Sequence, residues 1–116
     1  IPSVGLIKSI GVGVYKDPRC SENVTIIDWG VLRPGEKASF VIYVRNEGNT
    51  QLKLNITTSR WDPENASKYM VLAWSPNDGV ISPLEVVPIT LTLSVSPNIE
   101  GVTNFQFEVL IVGTEV

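Results

Sequence analysis

The residue types that carry out most enzyme chemistry are thinly represented in this sequence. Histidine is absent, which excludes Ser-His-Asp and Cys-His triads, imidazole metal ligands and the usual general base near neutral pH. The twelve acidic residues fall mostly at loop or turn positions, and a chain this small suggests neither the cleft that holds a glycosidase carboxylate pair nor the dense Asp/Asn loop of a calcium site. We therefore expect no enzyme activity, no bound metal and no cofactor.

The single cysteine, Cys20, excludes an internal disulfide and a cysteine-based zinc site. Two interpretations of it stay open. It is either a small, half-buried structural residue, or a thiol that reacts or pairs with another chain.

Three asparagine side chains are candidate sites of covalent modification. Three Asn-x-Ser/Thr sequons, the acceptor motif for N-glycosylation, begin at Asn23, Asn55 and Asn65. Asn55 shares the outward face of a predicted strand with Lys53, and Asn65 lies in a predicted loop, so both are expected to be accessible. Glycans are therefore candidate partners.

The three tryptophans predict different environments. Trp74 shares its strand parity with Met70 and Leu72, which predicts a core position, while Trp29 precedes a glycine and is expected to close one end of the core. Trp61 lies in a polar segment predicted as a crossing loop with one helical turn. It is either a lid on the core or an exposed platform for a sugar ring.

Composition limits the partners and the compartment. At 116 residues the chain is expected to form one domain, residues 1–116, with enough interior for a core without disulfides or metal. Its net charge is −3 and its basic residues are scattered, so nucleic acid is not an expected partner. Low charge content and a start at Ile1 favour an exported, extracellular or cell-surface protein, attached to a membrane only through a removed or missing N-terminal segment.

The alternation of apolar and polar residues predicts the strands of the fold. Apolar residues recur at every second position in residues 38–44, 52–56, 87–95 and 105–109, which predicts strands with one face in the core and one in water. Three less regular strands are predicted in the opening stretch, at 24–29 and at 69–75. Pro88 cannot donate to a ladder, so it predicts a sheet edge or a bulge there.

Turn signals separate these segments, at Arg33–Glu36, Asn46–Asn49, residues 76–79 and residues 97–101. About seven antiparallel strands divided in this way are typical of a Greek-key, Ig-like β-sandwich. The sequence thus predicts an all-β fold with a single β-sandwich.

The opening stretch, residues 1–15, is the least ordinary of the predicted strands. Leu6, Ile10, Val12 and Val14 share one apolar face, interrupted by Lys8. The other face carries Gly11 and Gly13, where a neighbouring backbone is expected to pack closely. If the apolar face completes a sheet, that sheet belongs either to the same chain or to a neighbouring one.

Four runs of sequence carry a family resemblance: residues 11–15, 27–35, 43–49 and 95–105. They resemble a group of small archaeal β-sandwich proteins, exported or membrane-anchored, whose function is unassigned, so no site residue is implied. The Leu-x-Pro-Gly and Asn-x-Gly turns are similar to those of Ig-like accessory domains of surface proteins. The opening strand resembles the donor strands of extracellular filament subunits, which complete the sheet of the next subunit.

Two hypotheses follow. In the first, the chain is a structural subunit of an extracellular filament, pilus or surface assembly, and polymerises with copies of itself through an N-terminal donor strand. In the second, it is a self-contained Ig-like adhesion, spacer or carbohydrate-binding module. The predicted donor face (Leu6, Ile10, Val12, Val14) supports the first, and the prevalence of self-contained sandwiches supports the second.

Overall fold

The computed structural model describes residues 2–76, 79–99 and 104–116, with the exception of the side chain of Pro2. These residues form nine strands and one short 3-10 helix, Glu64–Lys68. None of them belongs to a helix with the length and apolar character of a membrane span. The strands are β1 (Pro2–Ile10), β2 (Val12–Tyr15), β3 (Ile26–Val31), β4 (Lys37–Asn46), β5 (Leu52–Asp62), β6 (Met70–Ser75), β7 (Val80–Ile81), β8 (Val86–Val95) and β9 (Phe105–Glu115).

The strands form two sheets, which confirms the all-β prediction. The larger sheet has the order β3-β1-β9-β5-β7, and the smaller one has the order β2-β4-β8-β6. The prediction of about seven antiparallel strands differs from this structure in two ways. The opening stretch is divided into two strands and β7 is added, and β1 runs parallel to β9.

Both sheets contribute side chains to one hydrophobic core. The alternation predicted for the middle and the end of the chain is confirmed, because alternate residues of β4, β8 and β9 are fully buried. Ile42, Val44, Leu91, Leu93 and Phe107 have no exposed surface. Burial of such side chains is the main stabilising contribution in a domain of this size.

The connections follow the turn signals where they are described. At Arg33–Glu36, the Glu36 amide donates to the Arg33 carbonyl at 3.0 Å, and Gly35 adopts the positive φ of 82° that favours glycine. The predicted helical turn is the 3-10 helix, which crosses from β5 to β6. The predicted turns at 76–79 and 97–101 lie partly outside the described residues.

Among the described residues, Pro88 occupies a part of β8 that has a strand on one side only. Tyr43 of β4 pairs with Pro88, whereas the pairing of β6 with β8 ends at Thr90. The missing amide hydrogen of the proline therefore interrupts no ladder between β8 and β6, which is the edge-like environment expected from the sequence.

Candidate functional site

The first strand lies inside the larger sheet and not at its edge. β1 pairs in parallel with β9 over eight residue pairs, from Ser3 with Phe105 to Ile10 with Val112. On its other side it pairs antiparallel with β3. Main-chain pairing therefore holds β1 on both sides.

A single residue joins β1 to the rest of the described chain. Gly11 has a φ of 78°, and the chain passes there from the larger sheet into the smaller one. A Cβ built at Gly11 would lie 3.0 Å from the carbonyl oxygen of Gly113. The opening stretch is thus not the continuous strand that its sequence predicts, since Gly11 divides it into β1 and β2.

The side of β1 that faces the core carries small residues. Ser3 is fully buried, Gly5 is buried and Ile7 packs partly against the core. A Cβ at Gly5 would lie 2.7 Å from Cζ3 of Trp29. The contact between Gly5 and Trp29 was not predicted from the sequence. The small residues at positions 3 and 5 are the signal that indicates it.

The predicted donor face is divided between two environments, contrary to the sequence prediction. Val12 and Val14, in β2, are 6% and 4% exposed and belong to the core. In β1, Leu6 is half-buried and Ile10 is 59% exposed. The reason is that Gly11 changes the side of the strand that faces inward, so the apolar parity reverses there.

The outer side of β1 also carries an ion pair. Lys8 Nζ lies 3.1 Å from Oε1 of Glu108, and Arg60 Nε lies 3.0 Å from its Oε2. Both basic side chains are largely exposed, so these pairs contribute little to stability.

Side chains on the outer face of the smaller sheet hold β2. The hydroxyl of Tyr15 donates to Glu47 Oε1 at 2.5 Å, and Arg45 Nε donates to the same oxygen at 3.0 Å. The Arg45 guanidinium lies 5.1 Å from the centre of the Tyr15 ring. Gly13 lies beneath this cluster, where a Cβ would meet the side chains of Tyr15 and Glu47.

These contacts change the protonation equilibria of the cluster. The hydrogen bond from Tyr15 has the largest effect and lowers the pKa of Glu47; burial opposes it, and the hydrogen bond and positive charge of Arg45 lower the pKa further. The same Tyr15–Glu47 bond raises the pKa of the Tyr15 hydroxyl. Glu47 is therefore held as a carboxylate that fixes the end of β2.

An aromatic stack lies next to β1 in the core. Trp29 stacks on Phe107 with ring centres 5.5 Å apart, and Trp61 stacks on Phe107 at 4.2 Å. Trp61 is in β5 and half-buried, so the loop position predicted for it is wrong. Its ring covers Phe107, which leaves it poorly placed to act as an open sugar platform.

The three sequon asparagines, Asn23, Asn55 and Asn65, are exposed. Asn23 bridges to Tyr15 beside β2, Asn55 lies in β5, and Asn65 lies in the 3-10 helix. Cys20 is half-buried, as the first interpretation of it predicts.

A small cleft of about 90 Å³ lies between the open edges of the two sheets. Its walls are mostly apolar and include Leu54, Trp74, Ile81 and Ile89. It is smaller than a cavity of about 150 Å³ that binds benzene. Within the described part of the chain, no three histidine, cysteine, aspartate or glutamate residues are grouped as metal ligands would be.

The comparisons with known proteins add no family to this picture. The chain matches no protein-family model, and searches of curated proteins and of solved structures give no match.

Proposed function

We propose that the chain is a structural subunit of an extracellular filament, pilus or cell-surface assembly, and that it polymerises by exchanging β1 between copies. The observation that carries this proposal is the position of β1. It is paired on both sides by β3 and β9, yet within the described chain it is connected only through Gly11.

Exchange requires no new interface, because the register that β1 adopts in its own sheet is available in the sheet of a neighbour. If Gly11 becomes extended, β1 and β2 form one continuous strand and β1 points away from its own domain. The vacated groove exposes Trp29 and Val109, which a β1 strand from another copy covers again. Head-to-tail exchange builds a fibre when the rotation between successive copies does not close a ring.

Main-chain pairing is well suited to this role. β1 contributes few large side chains to the core, so its position depends mostly on hydrogen bonds to β3 and β9. Short joints between an exchangeable element and its domain favour swapping, and the joint here is one residue. Strand addition of this kind obtains its affinity from the main chain.

The finer fold assignment belongs to the same proposal. Two sheets around one core, with crossovers between them, support an Ig-like, Greek-key β-sandwich of the kind found in surface proteins. We place the protein outside the cell, among the archaeal surface proteins that its sequence resembles. We assign it no catalytic activity, and its partners are copies of itself and N-linked glycans.

The alternative is a self-contained adhesion or spacer module. The observation in its favour is that β1 completes the sheet of its own chain. In both hypotheses β1 makes the same residue contacts with β3 and β9. They differ only in whether β3 and β9 belong to the same chain as β1.

A disulfide across β1 and β3 separates the two functions. Leu6 and Ile26 are opposite each other, and the neighbouring Ile7 amide donates to the Thr25 carbonyl at 2.9 Å. Leu6 and Ile26 therefore form a non-hydrogen-bonded pair, in which the side chains are closer. The variant is Leu6→Cys/Ile26→Cys with Cys20→Ser, which removes the native thiol.

After assembly and oxidation, strand exchange predicts a ladder of covalent oligomers in denaturing electrophoresis. A self-contained module predicts only an internally linked monomer, and that result would contradict the proposal. The control is Ser39→Cys/Thr92→Cys in the same background. These residues face each other across β4 and β8, with their hydroxyl oxygens 2.9 Å apart, and they link within one chain in both cases.

A further inference from the structure

One edge of β5 is left without a partner strand. β9 pairs with β5 along its length, from Leu52 to Asp62, but β7 pairs only with Leu52 and Lys53 on the other side. Among the described residues, no strand follows β7 along this edge. Residues 54–59 therefore have no strand partner on this side within the described chain, and we refer to them as the open edge.

The open edge itself contains neither of two features that often prevent strand pairing, charge and proline, although a bulge follows it after Ser59. Lys53 and Arg60 stand at its two ends, and the residues between them, Leu-Asn-Ile-Thr-Thr-Ser, contain neither a charge nor a proline. Exposed edges without charges, prolines or bulges are templates for pairing with other chains. A subunit that assembles through β1 alone needs some other device to keep this edge from pairing.

Asn55 lies within the open edge and carries the chemistry for such a device. Its side chain is exposed and makes no hydrogen bond to any described residue, and Thr57, which completes the sequon, is also exposed. Asn46 behaves differently: it is fully buried and donates to the Thr50 and Ile81 carbonyls. The sequon asparagine is thus free to react, whereas Asn46 is committed to the fold.

We propose that Asn55 carries an N-linked glycan and that this glycan shields the open edge from other strands. In the transfer, a bond forms between Asn55 Nδ2 and the anomeric carbon of an oligosaccharide that is linked to a lipid phosphate. The bond between that carbon and the phosphate oxygen breaks. The lipid phosphate leaves with the bonding electron pair, and Nδ2 loses one proton.

The location of Asn55 gives the glycan its effect. An incoming strand would lie about 4.8 Å from β5, which is within the reach of the first sugar on Asn55. On the other side of Asn55 its pairing partner is Val112 of β9, so Asn55 stands on the strand that borders the open edge. This role rests on the proposed function, since shielding of β5 confines association to β1.

The modification is tested by mass spectrometry of peptides from the protein purified from its own organism. We expect a glycan mass on the peptide that contains Asn55. In variants produced in the same organism, the mass is lost in Asn55→Gln and Thr57→Val and retained in Thr57→Ser, which keeps the sequon. An unmodified Asn55 in the native protein overturns the proposal and leaves the β1–β3 disulfide test unaffected.

The shielding role is tested by light scattering and electron microscopy at equal protein concentrations. We expect Asn55→Gln and Thr57→Val to form lateral aggregates, with scattering raised several-fold over the native protein. Asn23→Gln, which removes a sequon beside β2 in the other sheet, is the matched control and stays at the native level. Asn55→Lys, which replaces the glycan by a charge, is expected to restore the native level.

Scattering that does not rise when the Asn55 glycan is lost overturns the shielding role, and so does an equal rise in Asn23→Gln. Failure of the proposed function is recognised separately, by the absence of covalent ladders from the β1–β3 disulfide in the glycosylated protein.

Discussion

β1 and β2 follow each other in the sequence with only Gly11 between them, but different interactions hold them. β2 contributes Val12 and Val14 to the core, and the Tyr15–Glu47–Arg45 cluster fixes its outer side. β1 presents Ser3, Gly5 and Ile7 to the core and keeps its position mainly through main-chain pairing with β3 and β9.

In the proposed exchange, β2 is the strand that stays in its domain and β1 is the strand that moves between copies. Burial of a valine side chain stabilises by roughly 1.5–3 kcal/mol, so removing β2 from its domain costs more side-chain burial than removing β1. Main-chain hydrogen bonds to β3 and β9 form equally well with any copy of β1. In the proposed exchange, the side-chain cluster is expected to keep β2 in place when β1 leaves.

The largest effect is expected where β1 touches the core. Gly5→Val introduces a Cβ that would lie 2.7 Å from the Trp29 ring, together with two further methyl groups. We expect a loss of about 3 kcal/mol in the free energy of unfolding, measured by chemical denaturation, and a loss of assembly. An unchanged unfolding midpoint would show that Gly5 does not pack on Trp29 in either arrangement.

The two halves of the predicted donor face are expected to respond differently to truncation. Val14→Ala leaves a cavity in the core and lowers the free energy of unfolding by about 2 kcal/mol. Leu6→Ala changes a half-buried residue on the outer side of β1, and we expect less than about 1 kcal/mol. Equal losses for the two variants in denaturation curves would contradict the reversal of parity at Gly11.

The Tyr15–Glu47–Arg45 cluster makes the stability of the folded protein depend on pH. Folding lowers the pKa of Glu47, so its carboxylate stabilises the folded state above the ordinary glutamate pKa of about 4.3. This contribution is lost as the pH falls through the lowered pKa of the folded state. We expect the difference in melting temperature between wild type and Glu47→Gln to be constant near neutral pH and to shrink in acid. A difference that does not depend on pH argues against the cluster.

The smallest effect is expected on the outer side of β1. Lys8→Gln removes an exposed ion pair with Glu108, while Arg60 stays 3.0 Å from the same carboxylate. We expect a loss of at most about 0.5 kcal/mol that disappears at high salt, measured by denaturation at two ionic strengths. A loss above 1 kcal/mol would mean that side chains, and not the main chain, hold β1.

The sequence predicted those strands that stay in one sheet. Alternation placed Ile42, Leu91 and Phe107 correctly in the core, because every second residue of an uninterrupted strand lies on the same face of its sheet. The same rule failed in the opening stretch, because alternation does not show where a strand passes from one sheet to another. Gly11, with its positive φ, is the residue where the parity reverses.

The remaining differences also arise from tertiary structure. The sequence predicted a loop at Trp61. Instead, β5 continues past a bulge near Arg60, whose φ is 52°, and brings Trp61 onto Phe107. Gly5 has no local sequence signal beyond small neighbours, because its contact with Trp29 joins residues from two strands. The pairing of β1 between β3 and β9 is likewise a long-range property that local patterns do not contain.

The most direct test of β1 exchange mixes two single-cysteine chains, both with Cys20→Ser. One carries Leu6→Cys and a heavy isotope label, and the other carries Ile26→Cys without label. Neither chain can close the bond alone, so any link between these positions joins two molecules. After the mixture is unfolded, assembled and oxidised, exchange predicts a disulfide peptide with one labelled and one unlabelled half. The corresponding mixture of Ser39→Cys and Thr92→Cys chains should give none. Filaments that lack the mixed-label peptide between positions 6 and 26 would contradict strand exchange.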